Sequence, residues 1–126
     1  MHELSIIHSI IETVEATVAE QDAPVEVERV LLQVGDLAGI EIENLEFLWP
    51  AAVQDTVLQQ ATCAIERVQA QAVCLDCHAA FSLKNYFDAC PACGSFWKDV
   101  TAGEELKIKS IELCVQPADA VATATN

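Results

Sequence analysis

Two Cys-X-X-Cys pairs close together in the chain constrain its fold more than any other feature. The first pair is Cys74 and Cys77, and the second is Cys90 and Cys93. Each short turn can present two sulfurs on one side, and two such turns complete a tetrahedron of thiolates around one divalent ion. Because four thiolates fill every coordination position of zinc, the spacing predicts a structural zinc site with no open position for a substrate.

Iron–sulfur clusters and thiol redox centres also use cysteine pairs. Iron–sulfur ligation stays open on spacing alone, since the ligands of such clusters are cysteines too. A thioredoxin-like motif opens a helix after a strand, and the residues around Cys74 lack that setting. Zinc is therefore the preferred metal. A zinc-free protein that absorbs visible light, or that readily cycles Cys74 and Cys77 between thiol and disulfide, would contradict this interpretation.

The charge and the start of the chain indicate a compartment and exclude some partners. The 126 residues carry a formal net charge of -14, with only 6 lysines and arginines. Nucleic-acid binding depends on such residues neutralising phosphates, so we expect no nucleic-acid partner. Glu3 stands where a signal peptide would be positively charged, and no apolar run approaches the ~18 residues that a membrane span needs. These features predict a cytoplasmic protein, in which reduced cysteine pairs bind metal rather than form disulfides.

Three further residues belong to the same metal-binding residue types but are interpreted differently. Cys63 and Cys114 lie in predicted strands without a neighbouring ligand, which indicates core packing. His78 directly follows a predicted zinc ligand, and an exposed or hydrogen-bonded loop histidine is the favoured interpretation.

The spacing of apolar residues predicts an α+β fold with two helices and three strands. Helical periodicity covers residues 4–20, where apolar residues recur every three or four positions. A second helix with a wide apolar face is expected over residues 45–53. Strand patterns rich in β-branched and aliphatic residues occupy three segments, 27–34, 63–68 and 106–115.

The order of these elements predicts how the chain is organised. Strand, helix and strand in succession imply a right-handed crossover between two parallel strands, with the third strand beside them. Pro50 is expected to kink the second helix or to lie in its first turn. Residues 73–97 are rich in cysteine and aromatic residues and are too short to form a core without a metal. We therefore expect a discontinuous α/β domain of residues 1–72 and 98–116, an inserted zinc domain of residues 73–97, and a disordered tail of residues 117–126.

Met1-His2-Glu3 forms a second candidate metal site. His2 is too large for the usual removal of an initiator methionine, so we expect the free amine to belong to Met1. The amine, the His2 amide nitrogen and the imidazole can close two adjacent chelate rings, and such planar nitrogen donors suit nickel(II) or copper(II). The first amides of a helix lack intrahelical partners, so one of them can be deprotonated. On this chemistry alone, an idle helix start with an exposed histidine is the alternative.

The order of features carries a resemblance to a known family. Met1-His2-Glu3 opens an amphipathic helix, Glu28-Arg29-Val30 leads into Val34-Gly35, and the two cysteine pairs follow late in the chain. Segments 90–95 and 103–112 extend the pattern. In these residues, over all but the tail, the chain resembles the HypA/HybF hydrogenase nickel-incorporation proteins. His78, where many such proteins have glycine, departs from the family pattern, as does Pro50.

The resemblance implies a small mixed three-stranded sheet with two helices and a protruding zinc-ribbon-like domain of four cysteines. It implies a nickel metallochaperone that delivers Ni(II) during maturation of [NiFe]-hydrogenase, with the GTPase HypB and the hydrogenase large subunit as partners. His2 is then the essential nickel ligand, supported by the Met1 amine and Glu3. The implied structural zinc ligands are Cys74, Cys77, Cys90 and Cys93. Monomer and homodimer both stay open.

A zinc-ribbon module that binds protein or nucleic acid is the alternative function. Such a module would use the cysteine pairs but would leave Met1-His2-Glu3 without a role, and the acidic charge opposes nucleic-acid binding. The sequence presents no nucleophile–base pair and no open metal site, so we expect no catalytic residues and no enzymatic activity.

Overall fold

The computed structural model describes residues 3–115, which form two helices and six strands. The helices are α1, Glu3–Ala19, and α2, Ile42–Ala52. The strands are β1, Val25–Gly35; β2, Thr62–Val68; β3, Gln71–Cys74; β4, Ala80–Ser82; β5, Lys98–Ala102; and β6, Leu106–Val115. The two predicted helices and the three predicted strands are all present, the latter as β1, β2 and β6. The predicted tail, residues 117–126, lies outside the described residues.

Helix α1 forms because its isoleucines and valine recur on one face. Its buried residues are Ile6, Ile7, Ile10, Ile11 and Val14, and its glutamates after the first turn face solvent. This stripe contacts α2, which buries Leu45 and Trp49. Removing each such aliphatic side chain from water contributes roughly 1.5–3 kcal/mol, so this apolar face, rather than intrinsic helix propensity, holds α1 in place.

Pro50 lies inside α2, in its last turn. Of the two predicted alternatives, a place in the first turn is therefore wrong, and a kink at Pro50 stays a prediction. A proline at this position removes one intrahelical hydrogen bond. The helix nevertheless closes with the main-chain N–H of Val53 donating to the carbonyl of Trp49 at 3.0 Å.

A three-stranded sheet has the order β2-β1-β6, with β1 in the centre. Strand β2 follows α2 in the chain and lies directly beside β1, which confirms that they are neighbours, while their parallel direction and right-handed crossover stay predictions. The third strand, β6, occupies the other side of β1. Arg29 on β1 and Glu112 on β6 form an ion pair of 3.2 Å, which is half-exposed and therefore contributes little to stability.

A second three-stranded sheet has the order β4-β3-β5, and both of its strand pairs are antiparallel. Ala72 lies opposite Phe81 on one side and Val100 on the other. This sheet covers a small core of six buried residues: Ala70, Ala72, Cys74, Phe81, Leu83 and Cys90. Two of the six, Cys74 and Cys90, are cysteines of the predicted zinc site, whereas Cys77 and Cys93 are exposed. Half of the predicted zinc ligands therefore belong to this core.

Two glycines bring the main chain close together beside this second sheet. The carbonyl of Gly103 accepts from the N–H of Leu37 at 2.7 Å, and a Cβ built on Gly35 would lie 2.0 Å from that same oxygen. Gly103 has a φ of +107°, and a Cβ there would lie 2.4 Å from Cα of Ala70. Only glycine fits at either position without moving the backbone.

The chain separates into two compact units. Among the described residues, the first contains those up to Leu31, Glu41–Ala64 and those from Ile108 onward, and the second contains Leu32–Ile40 and Ile65–Lys107. All four paired cysteines lie in the second unit. The assignment of nickel binding to residues 1–72 and 98–116 and of zinc binding to residues 73–97 stays a prediction. Within residues 3–115, no helix is long and apolar enough to cross a membrane.

Candidate metal centre

The first knuckle, residues 74–79, is a tight turn held by its own main chain. The N–H of His78 donates to the carbonyl of Cys74 at 2.9 Å, and the N–H of Cys74 donates to the carbonyl of Ala79 at 2.9 Å. The N–H of Cys77 also points at Sγ of Cys74, 3.5 Å away. His78 adopts a φ of +67°, in the left-handed region, which allows the chain to turn back after the second cysteine.

The second knuckle, residues 90–95, repeats the two main-chain hydrogen bonds of the first. The N–H of Gly94 donates to the carbonyl of Cys90 at 2.7 Å, and the N–H of Cys90 donates to the carbonyl of Ser95 at 2.8 Å. Gly94 has a φ of +79°, the counterpart of the φ of His78. The residue after the second cysteine is left-handed in both knuckles, and the second uses glycine, which adopts this conformation without a steric cost.

Further contacts fasten the two knuckles to each other. The hydroxyl of Ser95 donates to the carboxylate of Asp76 at 2.5 Å. The N–H of Leu75 donates to the carbonyl of Trp97 at 2.9 Å, next to the β3–β5 pairing of Cys74 with Lys98. The second sheet therefore aligns the two cysteine pairs without requiring a bond between their sulfurs.

The four sulfurs form one cluster. All of them lie within 4.8 Å of one another. The Sγ atoms of Cys74 and Cys93 are 3.5 Å apart, and those of Cys77 and Cys90 are 3.6 Å apart. Tetrahedral zinc with bonds of about 2.3 Å places sulfurs ~3.8 Å apart, whereas a disulfide would place them at about 2.05 Å. The cluster thus has the donor type and spacing of a four-thiolate zinc site, and all its cysteines are free.

The electrostatics of the cluster also favour a bound cation. The N–H of Cys77, hydrogen-bonded to the sulfur of Cys74, holds the pKa of the Cys74 thiol down at about 6. Although the N–H of Ser95 favours the thiolate of Cys93, the neighbouring sulfur of Cys74 and burial raise the pKa of Cys93 to about 12. One negative sulfur therefore opposes ionisation of the next, and a divalent cation is what allows all four to be thiolates together.

The two remaining cysteines do not join this cluster. Cys63 on β2 and Cys114 on β6 are each partly buried. Burial, followed by the nearby Glu46 carboxylate, raises the pKa of the Cys63 thiol to about 11. Burial also raises the pKa of Cys114, with Glu28 as the next cause. Both cysteines lie in strands, as predicted, but they are only partly buried and do not belong to the buried core, so the interpretation as core-packing residues is wrong.

At the start of the chain the structure describes Glu3 but not Met1 or His2. One carboxylate oxygen of Glu3, Oε2, accepts from the main-chain N–H of Glu41 at 3.1 Å, and the other, Oε1, accepts from Nδ2 of Asn44 at 2.9 Å. We call this arrangement the Glu3 bridge. The Glu41 and Asn44 hydrogen bonds hold the pKa of Glu3 below its usual value. Neither partner was expected from the sequence, because they follow Glu3 by about 40 residues with no local signal.

Comparison with known proteins identifies the family to which a chain with these features belongs. Residues 1–113 match the family model described as hydrogenase/urease nickel incorporation, metallochaperone, hypA. The chain belongs to the HypA family. This is a family of nickel-incorporation metallochaperones that act in hydrogenase maturation, and the resemblance seen in the sequence is confirmed.

Relatives in the HypA family cover nearly the same length. The chain is 43% identical over 113 residues to the hydrogenase maturation factor HypA of Geotalea uraniireducens, covering 90% of this chain and 99% of the relative. It is 39% identical over 113 residues to the protein of the same name from Geobacter metallireducens, with the same coverage.

The solution structure of the Ni metallochaperone HypA from Helicobacter pylori matches with a TM-score of 0.64 and 23% identity. The match covers 92% of this chain and all of that one. At this identity the match establishes the fold alone, and it confirms the predicted α+β architecture.

Proposed function

We propose that this protein binds Ni(II) at its N-terminus and delivers it during the maturation of [NiFe]-hydrogenase, with zinc as a structural ion. The observation that carries this proposal is the HypA family match, which begins at residue 1 and thus includes Met1-His2-Glu3. The four-sulfur cluster supports the zinc part of the proposal, because four thiolates fill the coordination positions of zinc and leave none for nickel.

The proposed nickel donors are nitrogens of the first two residues. The Met1 amine, the His2 amide nitrogen and the His2 imidazole supply the planar set that nickel(II) accepts, and Glu3 supports them. Helix α1 begins at Glu3, so the amides at its start have no carbonyl one turn earlier to bind. A metal-bound amide at this position therefore costs the helix no hydrogen bond.

The proposed zinc ligands are the four cysteines of the two knuckles, Cys74, Cys77, Cys90 and Cys93. Zinc bound there would cross-link turns that are 16 residues apart in sequence, and a full set of thiolates leaves no position for nickel or substrate. Its role would be to stabilise the second unit, whose core of six residues is small.

Delivery requires partners and a reversible site. We propose that the GTPase HypB and the hydrogenase large subunit receive or pass on the nickel by exchanging ligands. This transfer takes place in the cytoplasm, and neither nucleic acid nor membrane takes part. A homodimer is the further assembly to test. The net charge of -14 raises the local concentration of metal cations and favours partners with basic faces.

The test is nickel-binding calorimetry on untagged, zinc-loaded protein and its His2→Ala variant. We expect close to one nickel per chain for the parent protein and loss of that binding in the variant, with zinc content unchanged. His8→Ala is the matched control, because His8 is an exposed histidine on the same helix and should leave nickel binding intact.

A second arm extends the N-terminus by a few residues and should impair nickel binding as severely as His2→Ala. Equal nickel affinity in the parent, extended and His2→Ala proteins would refute the N-terminal site. Loss of nickel binding on His8→Ala alone would move the site onto the surface of α1.

A further inference from the structure

Both carboxylate oxygens of Glu3 are already bound within the protein. Oε2 accepts from the N–H of Glu41 at 3.1 Å and Oε1 accepts from the side-chain amide of Asn44 at 2.9 Å. Glu41 is the residue before α2, and Asn44 lies in its first turn. The Glu3 bridge therefore connects the first residue of α1 to the start of the other helix.

Helix α2 has a specific need for this carboxylate. Its N-cap residue, Glu41, makes no side-chain capping bond of its own. The amides at a helix start lack intrahelical acceptors, and the helix dipole makes that end electropositive. In a capping box a glutamate three residues into the helix accepts from the N-cap amide. Here Asn44 occupies that position and cannot play an anionic role, so Glu3 supplies the acceptor from α1.

We infer that the Glu3 side chain is a positioning group and not a nickel ligand. It holds the start of α1, and so the main chain that follows His2, against the first turn of α2. This inference rests on the proposed N-terminal nickel site and refines it. Each oxygen keeps a second lone pair, but nickel bound to it would draw charge away from the bond to Glu41 or Asn44 and weaken the capping of α2. The nickel donors then come from Met1, His2 and main-chain nitrogen.

A positioning role and a ligand role predict different effects of Asn44. Asn44 follows Glu3 by 41 residues in sequence, and within residues 3–115 its hydrogen bond to the start of α1 is the one to Glu3. If Glu3 positions the site, Asn44→Ala should weaken nickel binding in the same direction as Glu3→Ala, because the donors must then be ordered during binding. If Glu3 is a ligand, freeing it from Asn44 should leave nickel binding unchanged or strengthen it.

The experiment measures nickel affinity and nickel coordination on untagged, zinc-loaded protein. The variants are Glu3→Ala, Glu3→Gln and Asn44→Ala, and the matched control is Glu43→Gln, which removes a carboxylate from the same turn of α2. X-ray absorption of the nickel complex reports the donor set, and hydrogen exchange of the Glu41 amide reports the bridge with no nickel added.

We expect Glu3→Ala and Asn44→Ala to weaken nickel binding about threefold or more, the amount that one ordinary hydrogen bond is worth in an equilibrium constant. The nickel X-ray absorption spectrum should not change. Glu3→Gln, which keeps one acceptor oxygen, should recover part of the affinity. The Glu41 amide should exchange faster in Glu3→Ala, and Glu43→Gln should behave like the parent protein.

Loss of an oxygen donor from the nickel spectrum in Glu3→Ala would overturn the inference, as would unchanged or tighter nickel binding in Asn44→Ala. Failure of the nickel site itself is distinguishable, because it would appear as parent protein that binds no nickel at its N-terminus. Unchanged exchange of the Glu41 amide in Glu3→Ala would show, independently of nickel, that the bridge does not hold α2.

Discussion

Residues 78 and 94 occupy equivalent positions in the two knuckles, yet one is histidine and the other is glycine. Both are left-handed, with φ values of +67° and +79°. A Cβ on Gly94 would meet no atom within 4 Å, so Gly94→Ala changes only the cost of the left-handed conformation. This substitution therefore isolates the backbone requirement of the knuckle from its packing.

The expected loss for Gly94→Ala is about 1 kcal/mol. A side chain in the left-handed region destabilises the folded protein by roughly 1–2 kcal/mol. Alanine also lowers the conformational entropy of the unfolded chain, which stabilises the variant by about 0.4–1 kcal/mol and offsets part of that loss. His78→Gly should change stability by no more than about 0.5 kcal/mol, because histidine tolerates the left-handed region better than most residues and glycine adds unfolded-state entropy.

Urea unfolding at a fixed free-zinc concentration measures these differences, and competition with a chelator measures zinc affinity. Gly39→Ala is the matched control, because Gly39 has a φ of +78° and equally open surroundings but lies outside both knuckles. We expect the same loss of stability in Gly39→Ala and Gly94→Ala, with weaker zinc binding only in the latter. Gly94→Ala as stable as the parent, or a loss above 1 kcal/mol in His78→Gly, would refute this reasoning.

Three further predictions concern packing, metal and thiol chemistry. Gly103→Ala should lower the free energy of unfolding by about 2–5 kcal/mol in the same urea assay, because its Cβ would lie 2.4 Å from Cα of Ala70 and overpacking adds to the cost of the left-handed conformation. A loss of stability equal to that of Gly39→Ala would contradict this contact. Removing zinc with a chelator should expose the amides of residues 71–102 to hydrogen exchange before those of α1, since the four crowded sulfurs then lose their cation. Equal exchange in both segments would argue against a role of zinc that is local to the second unit. Cys63 should be alkylated roughly 100-fold more slowly at pH 8 than an ordinary thiol, and faster as the pH rises towards its pKa of about 11, because only the thiolate reacts. Peptide-resolved mass spectrometry measures the alkylation rate, and a rate equal to that of an ordinary thiol would refute this prediction.

The parts of the fold that were predicted are those with local signals. The apolar residues of α1 recur with helical spacing along a helix of 17 residues, and β6 is 10 residues long and rich in aliphatic residues, so both are long enough for a pattern to show. The cysteine spacing is local too, since each pair lies within one turn. These features depend on neighbours in sequence, so the sequence by itself determined them.

The strands of the second sheet were not predicted. Strands β3, β4 and β5 contain 4, 3 and 5 residues, which is too short for an alternating pattern to be recognised. Their pairing is what aligns the knuckles, and it depends on partners such as Ala72 and Phe81 that are brought together only by folding.

The acceptor that Glu3 offers to α2 was decided by tertiary structure alone. A glutamate at a helix start has many uses, and nothing near Glu3 in sequence indicates that Glu41 and Asn44 will be its partners. The same holds for Gly35, whose lack of a side chain is explained only by the carbonyl of Gly103 next to it. Short-range patterns decide which segments are helices and knuckles, whereas hydrogen bonds and close approaches between distant segments exist only once the chain has packed.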